Sequence, residues 1–67
     1  MEVLINNRIV IVEEGICLSE LLSDNGFESL KGMAVAVNNK VVPKKEIDSF
    51  RLKNSDKVLV IKPVCGG

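Results

Sequence analysis

The sequence predicts an α+β fold, a mixed sheet wrapped over a single helix in the order ββαβββ. Three observations predict it. Short β-branched runs recur along the chain, one leucine triad has helical spacing, and polar turn residues separate the two kinds of segment.

The first element is a hairpin. Met1 to Asn6 is short and apolar-rich, and Arg8 to Glu13 carries the run Ile9-Val10-Ile11-Val12. Asn6-Asn7 between them suits a tight turn, because Asn tolerates positive φ better than most residues. Glu14-Gly15 closes the unit. Leu18, Leu21 and Leu22 then fall at i, i+3 and i+4, which puts three apolar side chains on one helical face. Glu20 follows Cys17 at capping-box spacing, with Cys in the place of Ser or Thr as a weaker acceptor. Asn25-Gly26 stops the helix, so it is expected over Leu18 to Asn25.

Met33 to Asn38 reads as a buried strand, Asn38-Asn39-Lys40 as a second turn, and Val41-Val42 as a short strand. Pro43 has no N–H to donate and ends that ladder. Lys44 to Phe50 is a connection with room for one helical turn. Lys53-Asn54-Ser55-Asp56 is a polar turn, and Lys57 to Lys62 is the last strand. Residues 63–67 form a tail, expected to be flexible, so the chain divides into a folded domain, 1–62, and a reactive tail, 63–67.

Size and composition narrow the function. A chain of 67 residues is one domain and buries only ~60% of the surface it exposes when unfolded. A core and an enclosed substrate pocket do not both fit, which argues against an enzyme. Hydrophobic residues are 46%, and nine basic residues balance nine acidic ones. That balance argues against a disordered chain and against nucleic-acid binding, which needs a basic surface. Phe27 and Phe50 are the only aromatic residues, too few for a base-stacking platform. The longest apolar run, Met33 to Val37, is far too short to span a bilayer. Met1-Glu2-Val3 does not open like a signal peptide, so a cytoplasmic location is expected, with Cys17 and Cys65 reduced. Two cysteines so far apart make neither a redox pair nor a zinc site, so no metal ligands are assigned.

Catalytic motifs are missing. The chain has no His, no Gly-rich phosphate loop, no nucleophile elbow and no paired carboxylates. No catalytic residue is assigned. What stands out is Gly66-Gly67 after the last strand. A frayed terminus is the plain reading. The functional reading has a physical reason: a tail without side chains threads a narrow channel and adopts backbone angles closed to other residues. Its reactive group is the α-carboxylate, ionised at neutral pH and competent to attack the α-phosphate of ATP. The resulting acyl-adenylate is electrophilic toward a sulfur donor or an amine. The chain itself binds no cofactor, and a partner enzyme supplies the ATP site and magnesium.

Cys65, beside the reacting end, is read first as a tolerated small residue. The sharper reading is a thiol that forms a mixed disulfide or attacks the activated Gly67 carbonyl. Cys17 is read as a buried or capping residue. Lys44, Lys45 and Lys53 are read as solvated charges. In the last strand Val58 and Val60 share one face and Leu59 and Ile61 the other. One face covers the helix. The other packs under the connection or forms an exposed patch.

Four segments in order carry a family resemblance. Gly15 through Leu22 leads into a Glu-Leu-Leu helix. Val35-Ala36-Val37-Asn38 is followed by Val42-Pro43. Asp56-Lys57-Val58 turns into the last strand, and Gly66-Gly67 ends the chain. Over its whole length the chain thus resembles the ubiquitin-like β-grasp sulfur carriers, most closely the ThiS family of thiamine biosynthesis. The resemblance implies that an activating enzyme of the ThiF type adenylates Gly67. Sulfur from a cysteine desulfurase system then makes a thiocarboxylate there, and a ThiG-like thiazole synthase takes that sulfur. It implies that Gly66, Cys65 and Val64 enter the partner's channel, and that the outward residues Leu59 and Ile61 face a partner.

Departures are Lys44 where Arg is frequent, Ile47 in place of a nearby Trp, and Ser55 where the turn usually has Gly. Asn54 is expected to take the strained backbone position of that turn. The tail from Lys62 to Gly67 is also similar to the end of the molybdopterin synthase small subunit. This implies a MoaD-like alternative, with that synthase's large subunit as partner and a pterin as acceptor. A ubiquitin-like protein tag and an inert binding module are the further alternatives.

Overall fold

The computed structural model describes residues 1–27 and 33–61. Among them run β1 (Glu2–Ile5), β2 (Arg8–Ile11), α1 (Leu18–Asp24), β3 (Ala34–Val37), β4 (Lys40–Val42), α2 (Lys44–Ile47) and β5 (Lys57–Ile61). The expected order holds, and the single helical turn in the fourth connection is α2. The strands form one mixed sheet in the order β2-β1-β5-β3-β4. β5 is the centre. It runs parallel to β1, with Leu4 beside Lys57, and antiparallel to β3, with Ala36 beside Leu59.

Both two-residue hairpins turn on asparagine pairs. Asn6 and Asn7 have φ of 47° and 69°, and Asn38 and Asn39 have 51° and 70°. Two consecutive positive φ values match the twist of the flanking strands and suit Asn. The α1 terminus also closes as its residues dictate. Gly26 takes φ 89°. Its N–H donates to the Ser23 carbonyl at 3.2 Å and the Phe27 N–H to the Leu22 carbonyl at 2.8 Å. This pair of bonds satisfies two carbonyls that the helix leaves open.

At the other end Cys17 stands at the N-cap without a side-chain cap bond. Its thiol instead donates to Glu20 Oε1 at 3.2 Å, so the capping-box spacing is used between side chains. The helix start is held from outside. The Leu18 N–H donates to the Phe50 carbonyl at 2.8 Å and the Leu52 N–H to the Ile16 carbonyl at 3.0 Å, around a Cys17–Arg51 bridge.

Leu18, Leu21 and Leu22 are buried with Val3, Ile5, Val35, Val37, Val58 and Val60 in one core between α1 and the sheet, with Ile47 and Leu52 joining it. Each such side chain removed from water contributes about 1.5–3 kcal/mol. Among the described residues no polar or charged residue is buried.

The turn before β5 differs from expectation. Ser55, and not Asn54, takes the left-handed conformation, with φ 71°. The Asn54 side chain is engaged elsewhere, and its Oδ1 accepts from the Glu2 N–H at 2.9 Å. The Ser55 N–H donates to the Glu2 carbonyl at 2.7 Å. Those two bonds tie the turn to β1 and leave the next residue to absorb the positive φ.

Leu21→Ala removes a fully buried side chain, and the expected loss is about 2–5 kcal/mol of folding free energy by urea denaturation. Ser55→Gly relieves a left-handed residue at some cost in unfolded-chain entropy. The expected net gain is about 0.5 kcal/mol in the same measurement.

Candidate functional site

Gly67, Gly66, Cys65 and Val64 lie outside the described residues, as does the boundary between residues 62 and 63. What the structure describes is the strand that leads to them and the face that strand presents.

β5 is held on both sides and at its start. The Leu4 N–H donates to the Asp56 carbonyl at 2.9 Å and the Asn6 N–H to the Val58 carbonyl at 3.0 Å. Asn6 Oδ1 accepts from the Val60 N–H at 2.9 Å. Asn38 Oδ1 accepts from the Lys57 N–H at 3.0 Å, and its Nδ2 donates to Asp56 Oδ1 at 2.9 Å. The other Asp56 oxygen accepts from the Lys53 N–H at 2.8 Å. The first asparagine of each hairpin turn thus commits its side chain to β5.

The two faces of β5 divide as alternation requires. Val58 and Val60 are in the core, whereas Leu59 and Ile61 are 48% and 46% exposed. The second face is open and does not pack under the connection. Leu59 lies beside Ala36 and Ile61 beside Ala34, and Ala36 lies beside Val41. The small Ala36 between larger neighbours leaves a depression of about 340 Å³, lined in part by Leu4, Ala36, Val41, Leu59 and Ile61, with Lys57 also on it.

The apolar face is wider than β5. Val41 is 68% exposed on β4, and Ile9 and Ile11 are 65% and 74% exposed on β2. None of these three stands out as a partner residue from the sequence. The signal is present in the alternation of Ile9-Val10-Ile11-Val12, but assigning its outer face needs the strand order.

Two further depressions are polar or mixed. One of about 510 Å³ gathers Glu13, Glu14, Glu20 and Asp24 near Arg51, whose Nη1 donates to the Gly15 carbonyl at 2.8 Å. The other, about 440 Å³, lies beside β4 over Val42 and Phe50, with Lys40, Lys53 and Asp56 on it. Among the described residues no group of three or more His, Cys, Asp or Glu is placed to hold a metal ion. No helix there is long and apolar enough to cross a membrane. Cys17 is buried, and Lys44, Lys45 and Lys53 are exposed.

A mixed five-stranded sheet over one principal helix, with the last strand at its centre, defines a ubiquitin-like β-grasp protein. The ThiS family model matches residues 2–67, and the chain belongs to the ThiS family. The crystal structure of the thiamine biosynthesis protein ThiS from Geobacter metallireducens is similar over all of both chains, with 25% identity and a TM-score of 0.84. An NMR solution structure of a thiamine biosynthesis protein from Geobacter metallireducens, also 25% identical, has a TM-score of 0.76 over all of this chain and 88% of that one. No curated protein matches at a significant level.

Leu59→Ser and Ile61→Ser are expected to cost less than about 1 kcal/mol in urea denaturation, because both side chains are already half in water. Val58→Ser and Val60→Ser, which place a hydroxyl in the core, are expected to cost about 2 kcal/mol or more.

Proposed function

We propose that this chain is a sulfur carrier of thiamine biosynthesis, a protein co-substrate whose reacting group is the Gly67 carboxylate. The observation that carries the reading is the ThiS family match over residues 2–67, which includes Gly66-Gly67. The absence of His from the sequence agrees with it.

In this reading a ThiF-like adenylyltransferase holds ATP and magnesium. A Gly67 carboxylate oxygen attacks the α-phosphorus and pyrophosphate leaves. A persulfide on the donor then attacks the acyl carbon and AMP leaves, and a donor thiol cleaves the resulting acyl disulfide, becoming part of a disulfide itself and freeing Gly67 as a thiocarboxylate. A ThiG-like thiazole synthase receives that sulfur. The chain contributes no general acid or base to these steps. Gly66, Cys65 and Val64 form the segment that enters the partner channels, where Gly66-Gly67 brings backbone close to the nucleotide without side-chain bulk. Leu59 and Ile61, on the strand leading to this tail and exposed, form the docking patch for the activating enzyme. Half-exposed apolar side chains fit the core of a partner interface. The family match favours thiazole over pterin as the destination, and the reactions take place in the cytoplasm.

Incubation with ATP, the host's activating enzyme and a sulfur donor is expected to give a sulfur-for-oxygen mass gain localised to Gly67 by intact and fragment mass spectrometry. One Ala appended after Gly67 is expected to abolish the gain. A higher-mass conjugate to a lysine would support the protein-tag reading. Sulfur loading that survived the added Ala would refute the terminal-carboxylate mechanism.

A further inference from the structure

The two edges of the sheet are built differently. β4 has three residues, begins at Lys40 and is followed by Pro43, and a lysine and a proline both discourage further pairing. β2 is one residue longer, has no proline, and confines its one charge to Arg8 at its start. Its sequence is Arg8-Ile9-Val10-Ile11, its one sheet partner is β1, and its outward side chains Ile9 and Ile11 are 65% and 74% exposed.

The backbone of β2 also faces outward at those two residues. The Met1 amine donates to the Val12 carbonyl at 2.7 Å and the Val12 N–H to the Met1 carbonyl at 2.9 Å. Met1 and Val12 therefore form a hydrogen-bonded pair. In an antiparallel ladder such pairs alternate, so Val3–Val10 and Ile5–Arg8 are the next ones. The N–H and C=O groups of Ile9 and Ile11 point away from β1, toward the open edge. Among the described residues, the same two residues thus carry both the backbone groups left without a strand partner and the most exposed apolar side chains of the strand.

We infer that β2 is the contact strand of a two-fold homodimer, in which two copies join edge to edge and the sheet continues across both. The edge is complementary to itself. In antiparallel register about Val10, Ile9 lies opposite the partner's Ile11 and Ile11 opposite the partner's Ile9. All the outward N–H and C=O groups of these residues are then exchanged. The isoleucines meet on the outer face, as apolar cross-strand pairs do. Charge fits as well. Arg8 begins the strand and Glu13-Glu14 follow it, so the antiparallel arrangement brings each Arg8 toward the acidic end of its partner. β1 separates β2 from β5, so Leu59 and Ile61 stay outside this contact and the inference stands apart from the tail chemistry.

Sedimentation of the full chain from micromolar to millimolar concentration tests the inference. A reversible monomer–dimer equilibrium is expected. Ile9→Lys and Ile11→Lys place like charges on the joined edge and are expected to weaken the dimer by roughly tenfold or more. Leu59→Lys is expected to leave it unchanged. Register is read by oxidation in a Cys17→Ser, Cys65→Ser background. Mixed Ile9→Cys and Ile11→Cys chains are expected to cross-link to each other, their Cα atoms being about 5.5 Å apart. Neither is expected to cross-link alone, since equivalent positions lie more than about 7 Å apart. A chain that stays monomeric throughout overturns the inference, including one whose β2 edge is instead taken by a strand of another protein. So does a dimer that survives both lysine variants, or cross-linking within the Ile9→Cys sample alone.

Discussion

The structure depends on one constraint: the last strand must find the centre of the sheet. β5 enters between β1 and β3, which otherwise belong to two separate hairpins. Neither hairpin alone is a stable unit, because two strands bury too little apolar surface. Insertion of β5 joins them, completes the core with Val58 and Val60, and covers the Leu18, Leu21 and Leu22 face of α1. The pairing of Leu4 with Lys57 spans nearly the whole chain, so this closure carries a large loop entropy that only the finished core offsets.

The asparagines show how that closure is secured with few residues. Asn6 and Asn38 are first turn residues, suited to positive φ. Each then turns its side chain onto the backbone of β5, Asn6 at Val60 and Asn38 at Lys57. A glycine would satisfy the turn as well but would leave those contacts unmade. The hairpin turns thereby become clamps on the strand that leads to residues 62–67. The strand that precedes the proposed reacting residue in sequence is thus bonded along both sides and clamped by both turns.

Local features were legible in the sequence because they rest on local chemistry. The Asn pairs, the Gly26 helix stop, the leucine triad and the strand alternation of β5 each follow from backbone preference or side-chain period. The sheet order was not legible from those features, because it is decided by pairing between distant segments. The Cys17–Arg51 bridge escaped for the same reason. In the turn before β5 the positive φ falls one residue later than propensity dictates. Propensity favours Asn over Ser there, but the bond from the Glu2 N–H to Asn54 Oδ1 outweighs that preference. The outer face was half legible. Alternation placed Leu59 and Ile61 together, yet Ile9, Ile11 and Val41 joined them only once the five strands were ordered.

That outer face bears on why a domain so small leaves so much apolar surface in water. The inner face and α1 already use the buried leucines and valines, and among the described residues no second layer covers the other side of the sheet. Polar residues at Ile9, Ile11, Val41, Leu59 and Ile61 would suit an isolated monomer better. The apolar character of Val41, Leu59 and Ile61 is instead what a protein handed between partners requires, and that of Ile9 and Ile11 is what the inferred edge-to-edge contact requires. Under the proposed function, activation, sulfur delivery and acceptance fall to other active sites, and the chain's own contribution is recognition together with the carboxylate proposed to react. Recognition by several partners calls for accessible apolar area on a rigid support. A sheet clamped by its own turns supplies that support.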